Sequence, residues 1–184
     1  MSLGGVINYQ RQMRENVLRK LVPVRLVAFD FDGIMTDGMV YVDDTGHEMV
    51  RCSRRDSLGV GMLQKQAGIV VGVISKEANP VVAKRCEKIK VQCWQGVENG
   101  EGKLKILKRI AAENNVSPEE ILYMGDDVND IEPMQFAGVK VTVADGHKKL
   151  KAIADYVTEA RGGSHAVREV CELILEAKCI EPKV

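Results

Sequence analysis

From Val24 to Leu175 the chain repeats one alternation: a short apolar run rich in β-branched residues, then a helix-length segment with apolar residues every three or four positions. The runs are Val24–Phe29, Ile69–Ile74, Val91–Trp94, Ile121–Met124 and Val139–Val143. The helical segments are Pro80–Ile89, Lys103–Asn114, Ile131–Ala137 and Ser164–Ala177. A further helix is capped by Asp56, turns Leu58, Met62 and Leu63 inward and stops at Gly68. Strands alternating with helices pair in parallel, and a parallel sheet is covered by helices on both faces. The sequence therefore predicts an α/β fold, a three-layer, Rossmann-like, doubly wound parallel sheet. Met39–Val42 and Glu48–Arg51 flank Asp43-Asp44-Thr45-Gly46, the pattern of a small β-hairpin inserted after the first strand. Ahead of the sheet, residues 8–22 place Tyr9, Met13, Val17 and Leu21 on one helical face, suited to packing on the domain or on a neighbouring subunit. Residues 1–23 are read as an N-terminal extension helix and 24–184 as a single domain.

A chain of 184 residues can bury roughly 70% of its unfolded surface, so it needs neither a disulfide nor a metal in order to fold. Its 26 basic residues balance 26 acidic ones, which argues against holding nucleic acid through bulk positive potential. The longest uncharged apolar stretch, Ala67–Ser75, is about half of a bilayer span, and no basic-then-apolar leader opens the chain. A cytoplasmic protein with no nucleic-acid and no membrane partner is expected. Cys52, Cys86, Cys93, Cys171 and Cys179 form no C-x-x-C pair, and His47, His147 and His165 are not spaced as metal ligands. Zinc and histidine-triad chemistry fit poorly.

An open parallel sheet binds ligands just beyond the carboxyl ends of its strands. Val24–Phe29 runs into Asp30-Phe31-Asp32-Gly33-Ile34-Met35-Thr36, and Ile69–Ile74 into Ser75. Ile121–Met124 runs into Gly125-Asp126-Asp127-Val128-Asn129-Asp130. Carboxylates thus crowd one rim, where like charges repel unless a cation offsets them. An oxygen-only ligand set suits Mg2+ better than Zn2+. Asp-x-Asp-Gly-x-x-Thr arises by chance in about one chain of this length in a few hundred, so its place directly after an apolar strand carries weight.

On these residues the chain resembles the haloacid dehalogenase superfamily of phosphatases, over nearly everything from Val24 to Leu175. Asp30-x-Asp32-Gly33-x-x-Thr36 resembles the first motif of that family, Ser75 the second, Lys103 the third and Gly125-Asp126-Asp127-x-x-Asp130 the fourth. The resemblance is closer to the small subfamily, lacking a cap domain, that dephosphorylates 2-keto-3-deoxy sugar acids. Thr36-Asp37-Gly38, Arg55-Asp56, Ala144-Asp145-Gly146-His147 and Arg161-Gly162-Gly163 carry that closer likeness. It implies a phosphomonoesterase in which Asp30 attacks phosphorus and Asp32 acts as acid, then as base. Mg2+ is implied on Asp30, the Asp32 backbone carbonyl and Asp126, with Ser75 and Lys103 on the phosphoryl oxygens. Asp127, Asp130 and Thr36 are implied as supports of that set, the first two around the metal and Lys103. Relatives place the lysine soon after Gln-Gly-Val. Here Glu98-Asn99-Gly100-Glu101-Gly102 separates Gln95-Gly96-Val97 from Lys103, which predicts a longer loop and leaves Lys105 as a fallback.

Capless relatives of this kind close their sites by forming tetramers, in which the hairpin packs against neighbours and the tail approaches an adjacent site. A homotetramer is thus implied, with Met39–Arg51 as the hairpin and Arg161–His165 as the tail loop. The implied substrate is a small sugar acid phosphate, whose carboxylate suits a guanidinium from Arg55, Arg85 or Arg161. Glu77, Arg85 and Lys88 stand where relatives acting on nonulosonate 9-phosphates, of the KDN and sialic acid type, carry glutamate, arginine and lysine. This favours the nine-carbon substrate. Gly163-x-x-Ala166-Val167-Arg168-Glu169-Val170-Cys171 is as similar to phosphatases of the eight-carbon KDO 8-phosphate, a lipopolysaccharide precursor, which is the alternative. Two other classes compete. One is a non-catalytic oligomerisation module like that of some sialate cytidylyltransferases, disfavoured because Asp30, Asp32, Asp126 and a lysine are all retained. The other is a phospho-accepting receiver, which lacks the acid two residues after its aspartate.

Overall fold

The structure, a computed structural model, describes residues 3–183, with side chains from residue 12 onward. Helix α1 (Leu3–Leu21) leads into β1 (Leu26–Phe29), then the hairpin β2 (Val40–Val42) and β3 (Glu48–Val50). There follow α2 (Arg54–Gln66), β4 (Val70–Ile74), α3 (Pro80–Ile89), β5 (Gln92–Trp94), α4 (Gly100–Glu113) and β6 (Ile121–Met124). The chain closes with α5 (Ile131–Phe136), β7 (Val139–Thr142), α6 (Lys148–Ile153), β8 (Tyr156–Val157) and α7 (Ala166–Ala177). Six strands form one parallel sheet in the order β5-β4-β1-β6-β7-β8, with β1 flanked by Val70 on one side and Ile121 on the other at Leu26. The hairpin stands apart as its own antiparallel pair.

The strand repeat of two sorts the core into two layers. Val27 and Phe29 of β1 join Val60 and Leu63 of α2, Val82 of α3 and Val167, Val170 and Ile174 of α7. Leu26 and Ala28 point the other way, against Leu107 and Ile110 of α4, Met134 of α5 and Leu150 of α6. Because both faces of β1 are covered, all four of its residues are buried, which is why the run reads as continuously apolar rather than alternating. Val17 and Leu21 of α1 belong to the first of these layers, and Arg14 pairs with Glu176 of α7 at 2.6 Å, so this helix docks on its own chain. Met13 is exposed, and the side chain of Tyr9 lies outside the described residues.

Several local expectations change in the folded chain. The cap of α2 is Ser53, whose Oγ accepts the Arg55 and Asp56 amides. Asp56 is instead buried in the first turn, where its Oδ1 accepts the Arg168 amide of α7 at 2.9 Å. It ties two helices together, and burial holds its carboxyl above the usual range. Leu58 is 42% exposed while Met62 and Leu63 are buried. Ahead of β6 the Ser117 amide donates to Glu120 Oε2 at 2.9 Å around a single 3-10 turn, and α6 and β8 are too short to register as periodicity. All five cysteines are free thiols. Among the described residues no helix is long and apolar enough to cross a membrane.

Candidate active site

Three adjacent strands, β4, β1 and β6, end at one rim, and each delivers a polar residue there as the apolar run stops. After β1, Asp30 is only 6% exposed; its Oδ1 accepts the Phe31 amide at 2.7 Å. The chain then reverses through Gly33, whose φ of +73° is open to glycine without penalty. A Cβ at this glycine would overlap the Asp126 carboxylate, so the residue also keeps the two acid loops close. Thr36 knits the reversal: its hydroxyl donates to Asp32 Oδ1 at 3.1 Å and accepts the amides of Gly33 and Gly38 at 3.3 and 3.1 Å. After β4, Ser75 is buried and its Oγ accepts the Glu77 amide at 3.0 Å, which leaves its own proton for an acceptor in the cavity.

Lys103 arrives from α4. The residues expected to lengthen the loop are helical: Asn99 caps α4 by accepting the Gly102 amide at 2.9 Å, so Gly100-Glu101-Gly102 is its first turn. That turn aims Lys103 into the core, where it is fully buried, with Nζ 2.7 Å from Asp30 Oδ2 and 2.8 Å from Asp130 Oδ1. Lys105 faces solvent and is set aside. Asp130 acts as a hub: it also accepts the Tyr123 hydroxyl at 2.8 Å and, through Oδ2, the Asp126 amide at 3.1 Å. Tyr123 belongs to none of the motifs; its one sequence signal is a lone hydroxyl inside an apolar run that ends at the fourth motif. Asp127 is exposed and holds the Val128 amide at 2.7 Å, which caps the 3-10 turn Val128–Asp130 rather than touching Lys103.

The electrostatics are those of a site short of positive charge. Burial, then the neighbouring Asp130, holds the Asp30 carboxyl well above the usual range, although Lys103 opposes the shift. Burial, with Asp130 and Asp127 nearby, pushes Asp126 up to about 7. Asp32 is raised by burial, and its hydrogen bond from Thr36 offsets part of that. Burial would lower the pKa of Lys103, but Asp30 and Asp130 outweigh it and keep the ammonium charged. Oxygens of Asp30, Asp126 and Asp130 lie within 4.8 Å of one another. Asp130 already serves Lys103, Tyr123 and an amide, so Asp30 and Asp126 are the carboxylates with capacity left. Hard oxygen donors with an unbalanced negative charge fit Mg2+.

Above these groups lies a cavity of about 410 Å3 lined by Asp30, Asp32, Ser75, Glu77, Asp126 and Asn129, among others. Of the residues assigned to the substrate, Glu77 is there, because it follows Ser75 directly in the loop leaving β4. Arg85 and Lys88 are not. They lie further along α3 and line a separate basic cleft of about 590 Å3 between α2 and α3. There Arg85 donates to the Ser53 carbonyl at 2.9 Å and to Ser57 Oγ. Arg55 lines a third depression, with His165 and Arg168. Arg161 is exposed, and only the glycines after it reach the first loop, where the Gly163 amide donates to the Ile34 carbonyl at 3.0 Å. Gly162 and Gly163 of the tail loop thus pack on the first loop of their own chain. Among the described residues no arginine lines the acidic cavity.

Residues 63–170 match the family of haloacid dehalogenase-like hydrolases. The chain is 35% identical over 164 residues to the 3-deoxy-D-manno-octulosonate 8-phosphate phosphatase KdsC of Escherichia coli K12, an alignment covering 89% of this chain and 85% of the relative. The crystal structure of the 3-deoxy-D-manno-octulosonate 8-phosphate phosphatase of Yersinia pestis is similar with a TM-score of 0.85 at 34% identity, covering 90% of this chain and 88% of that one. The Moraxella catarrhalis phosphatase of the same name, solved with a magnesium ion, a phosphate ion and KDO, gives a TM-score of 0.84 at 32% identity, covering 90% and 93%.

Proposed function

The chain belongs to the haloacid dehalogenase-like hydrolase family, and on that basis we propose that it hydrolyses the phosphomonoester of KDO 8-phosphate through an aspartyl-phosphate on Asp30. That it is a magnesium-dependent phosphatase follows from the family and from its relatives. The single observation that carries the mechanism is the convergence of Asp30, Asp32, Ser75, Lys103 and Asp126 on one rim, from three strand ends and one helix. A carboxylate oxygen of Asp30 bonds to phosphorus as the bond from phosphorus to the sugar oxygen breaks. Asp32, whose raised proton affinity suits an acid, gives its proton to the departing alkoxide. In the second step it takes a proton from the water that attacks the aspartyl-phosphate, which frees inorganic phosphate. Ser75 donates to a phosphoryl oxygen and Lys103 offsets the charge on Asp30 and the phosphoryl group. Asp30, Asp126 and the Asp32 backbone carbonyl would hold Mg2+, which would supply the positive charge needed for an anionic nucleophile to approach an anionic phosphoryl group.

The eight-carbon acid is preferred to the nine-carbon one for two reasons. The relatives named for KDO 8-phosphate align over most of this chain. Of the three residues that pointed to a nonulosonate, only Glu77 lines the cavity, while Arg85 is engaged by Ser53 and Ser57. Comparing kcat/KM for KDO 8-phosphate and KDN 9-phosphate tests this reading, and preference for the nine-carbon ester sinks it. The homotetramer is part of the same proposal. The hairpin exposes Met39, Val40, Tyr41, Val42 and Met49, a patch suited to burial against other copies. Sedimentation should give a tetramer that Tyr41→Glu breaks, and a monomeric parent protein would contradict it.

A further inference from the structure

Two loops that take no part in the chemistry form a clamp across the site. The first, Ala144–His147, follows β7. Its His147 amide donates to the Asp126 carbonyl at 2.7 Å, and a Cβ at the buried Gly146 would strike the Thr142 hydroxyl. The second, Arg161–Ser164, follows β8. A Cβ at Gly162 would overlap the Gly33 carbonyl, and one at Gly163 would lie 2.5 Å from the backbone of Thr36 and Asp37. The first loop therefore grips the Asp126 segment and the second grips the Asp30–Asp37 segment. One side chain joins them: Asp145 Oδ1 accepts the buried Gly162 amide at 3.0 Å, beside a longer backbone bond from Ala144 to the Ala160 carbonyl at 3.3 Å.

We propose that Asp145 is a positioning residue: its bond to the Gly162 amide locks the two loops and so sets the separation of Asp30 and Asp126 across the magnesium position. The inference rests on the metal-dependent phosphatase reading. The physical need is plain, because two carboxylate loops repel each other and must be held together from outside. The path is continuous, from Asp126 through His147 and Asp145 to Gly162, Gly163 and Ile34, so slack at Asp145 reaches both acids. Asp145 is itself exposed, but the amide it accepts belongs to a buried glycine packed on the first loop, and misplacing a reacting pair by about 1 Å can slow a reaction about a hundredfold.

The test compares Asp145→Ala and Asp145→Asn with the parent protein. Magnesium affinity is measured by calorimetry without substrate, and kcat and KM on an aryl phosphate at saturating magnesium. Asp145→Ala should weaken magnesium binding and lower kcat, each by about tenfold, with KM within about twofold. Asp145→Asn keeps an oxygen acceptor and should recover both to within about threefold. Melting temperatures taken in parallel separate this from unfolding, since a general loss of stability is not mended selectively by an amide oxygen. The proposal fails if Asp145→Ala binds magnesium and turns over like the parent, or if Asn is as impaired as Ala. A parent protein that neither binds magnesium nor hydrolyses phosphomonoesters would overturn the phosphatase reading itself.

Discussion

Replacing Lys103 by methionine removes the one buried cation between two buried carboxylates and keeps nearly the same volume. At 2.7 and 2.8 Å, each contact is worth about 6 kcal/mol of gross Coulomb attraction at an effective dielectric of about 20. Most of that is already offset by the desolvation of all three groups. Once the lysine is gone, Asp30 can also take up a proton, as its raised affinity shows. The net loss should therefore be about 3–5 kcal/mol at pH 7, the range for breaking a buried pair from one side. For a chain of this size that is a fall in Tm of roughly 6–20 °C. Urea denaturation in EDTA is the assay, repeated at pH 5 and pH 8. The deficit should shrink at pH 5, because a carboxylate whose proton affinity is raised in the folded state loses stability as pH rises. In the double variant Lys103→Met with Asp130→Asn, the orphaned charge at Asp130 is gone and part of the loss should return. Turnover on an aryl phosphate should drop at least about a hundredfold, since a donor to the transition state is missing. A loss below about 1 kcal/mol at pH 7, or near-normal turnover, would refute the account of Lys103 as the cation that offsets Asp30 and Asp130.

Gly33→Ala forces a side chain onto the Asp126 carboxylate in a left-handed conformation, which alone costs about 1 kcal/mol or more; magnesium binding measured by calorimetry should be lost while the fold persists by circular dichroism. Burial, with Asp130 and Asp127 nearby, pushes Asp126 from its ordinary 3.8 up to about 7, so between those pH values the metal-free folded chain holds a proton that the unfolded chain has released. Metal-free stability should accordingly fall as pH rises from about 4 to about 7, and apparent magnesium affinity should weaken up to about tenfold per unit below pH 7; a flat affinity between pH 5.5 and 7.5 would contradict this. Asp32→Asn should give a burst of 4-nitrophenol close to one equivalent of enzyme and then turn over at least about a hundredfold more slowly, because the first step has a good leaving group and the second lacks its base. Steady turnover without a burst, at the parent's rate, would count against Asp32.

The sheet, its two helical layers and the acidic rim were legible in the sequence because each depends on neighbours in the chain. An apolar run long enough for a strand, followed at once by Asp30, Ser75 or Gly125-Asp126, states both the strand and what its end presents. Contacts across the chain leave no such local trace. Lys103 and Lys105 look alike in one dimension, and only burial against Asp130, 27 positions away, selects the first. Arg85 and Lys88 share a helix with the right spacing, yet the face they occupy turns toward α2 and away from the acids. Asp56 reads as a cap, but its partner is an amide 112 residues later. Tyr123 and Asp145 draw their meaning from Asp130 and Gly162. Periodicity reports which side of an element is apolar; which polar group a side chain meets is decided by how the layers are stacked, and that exists only once the chain has folded.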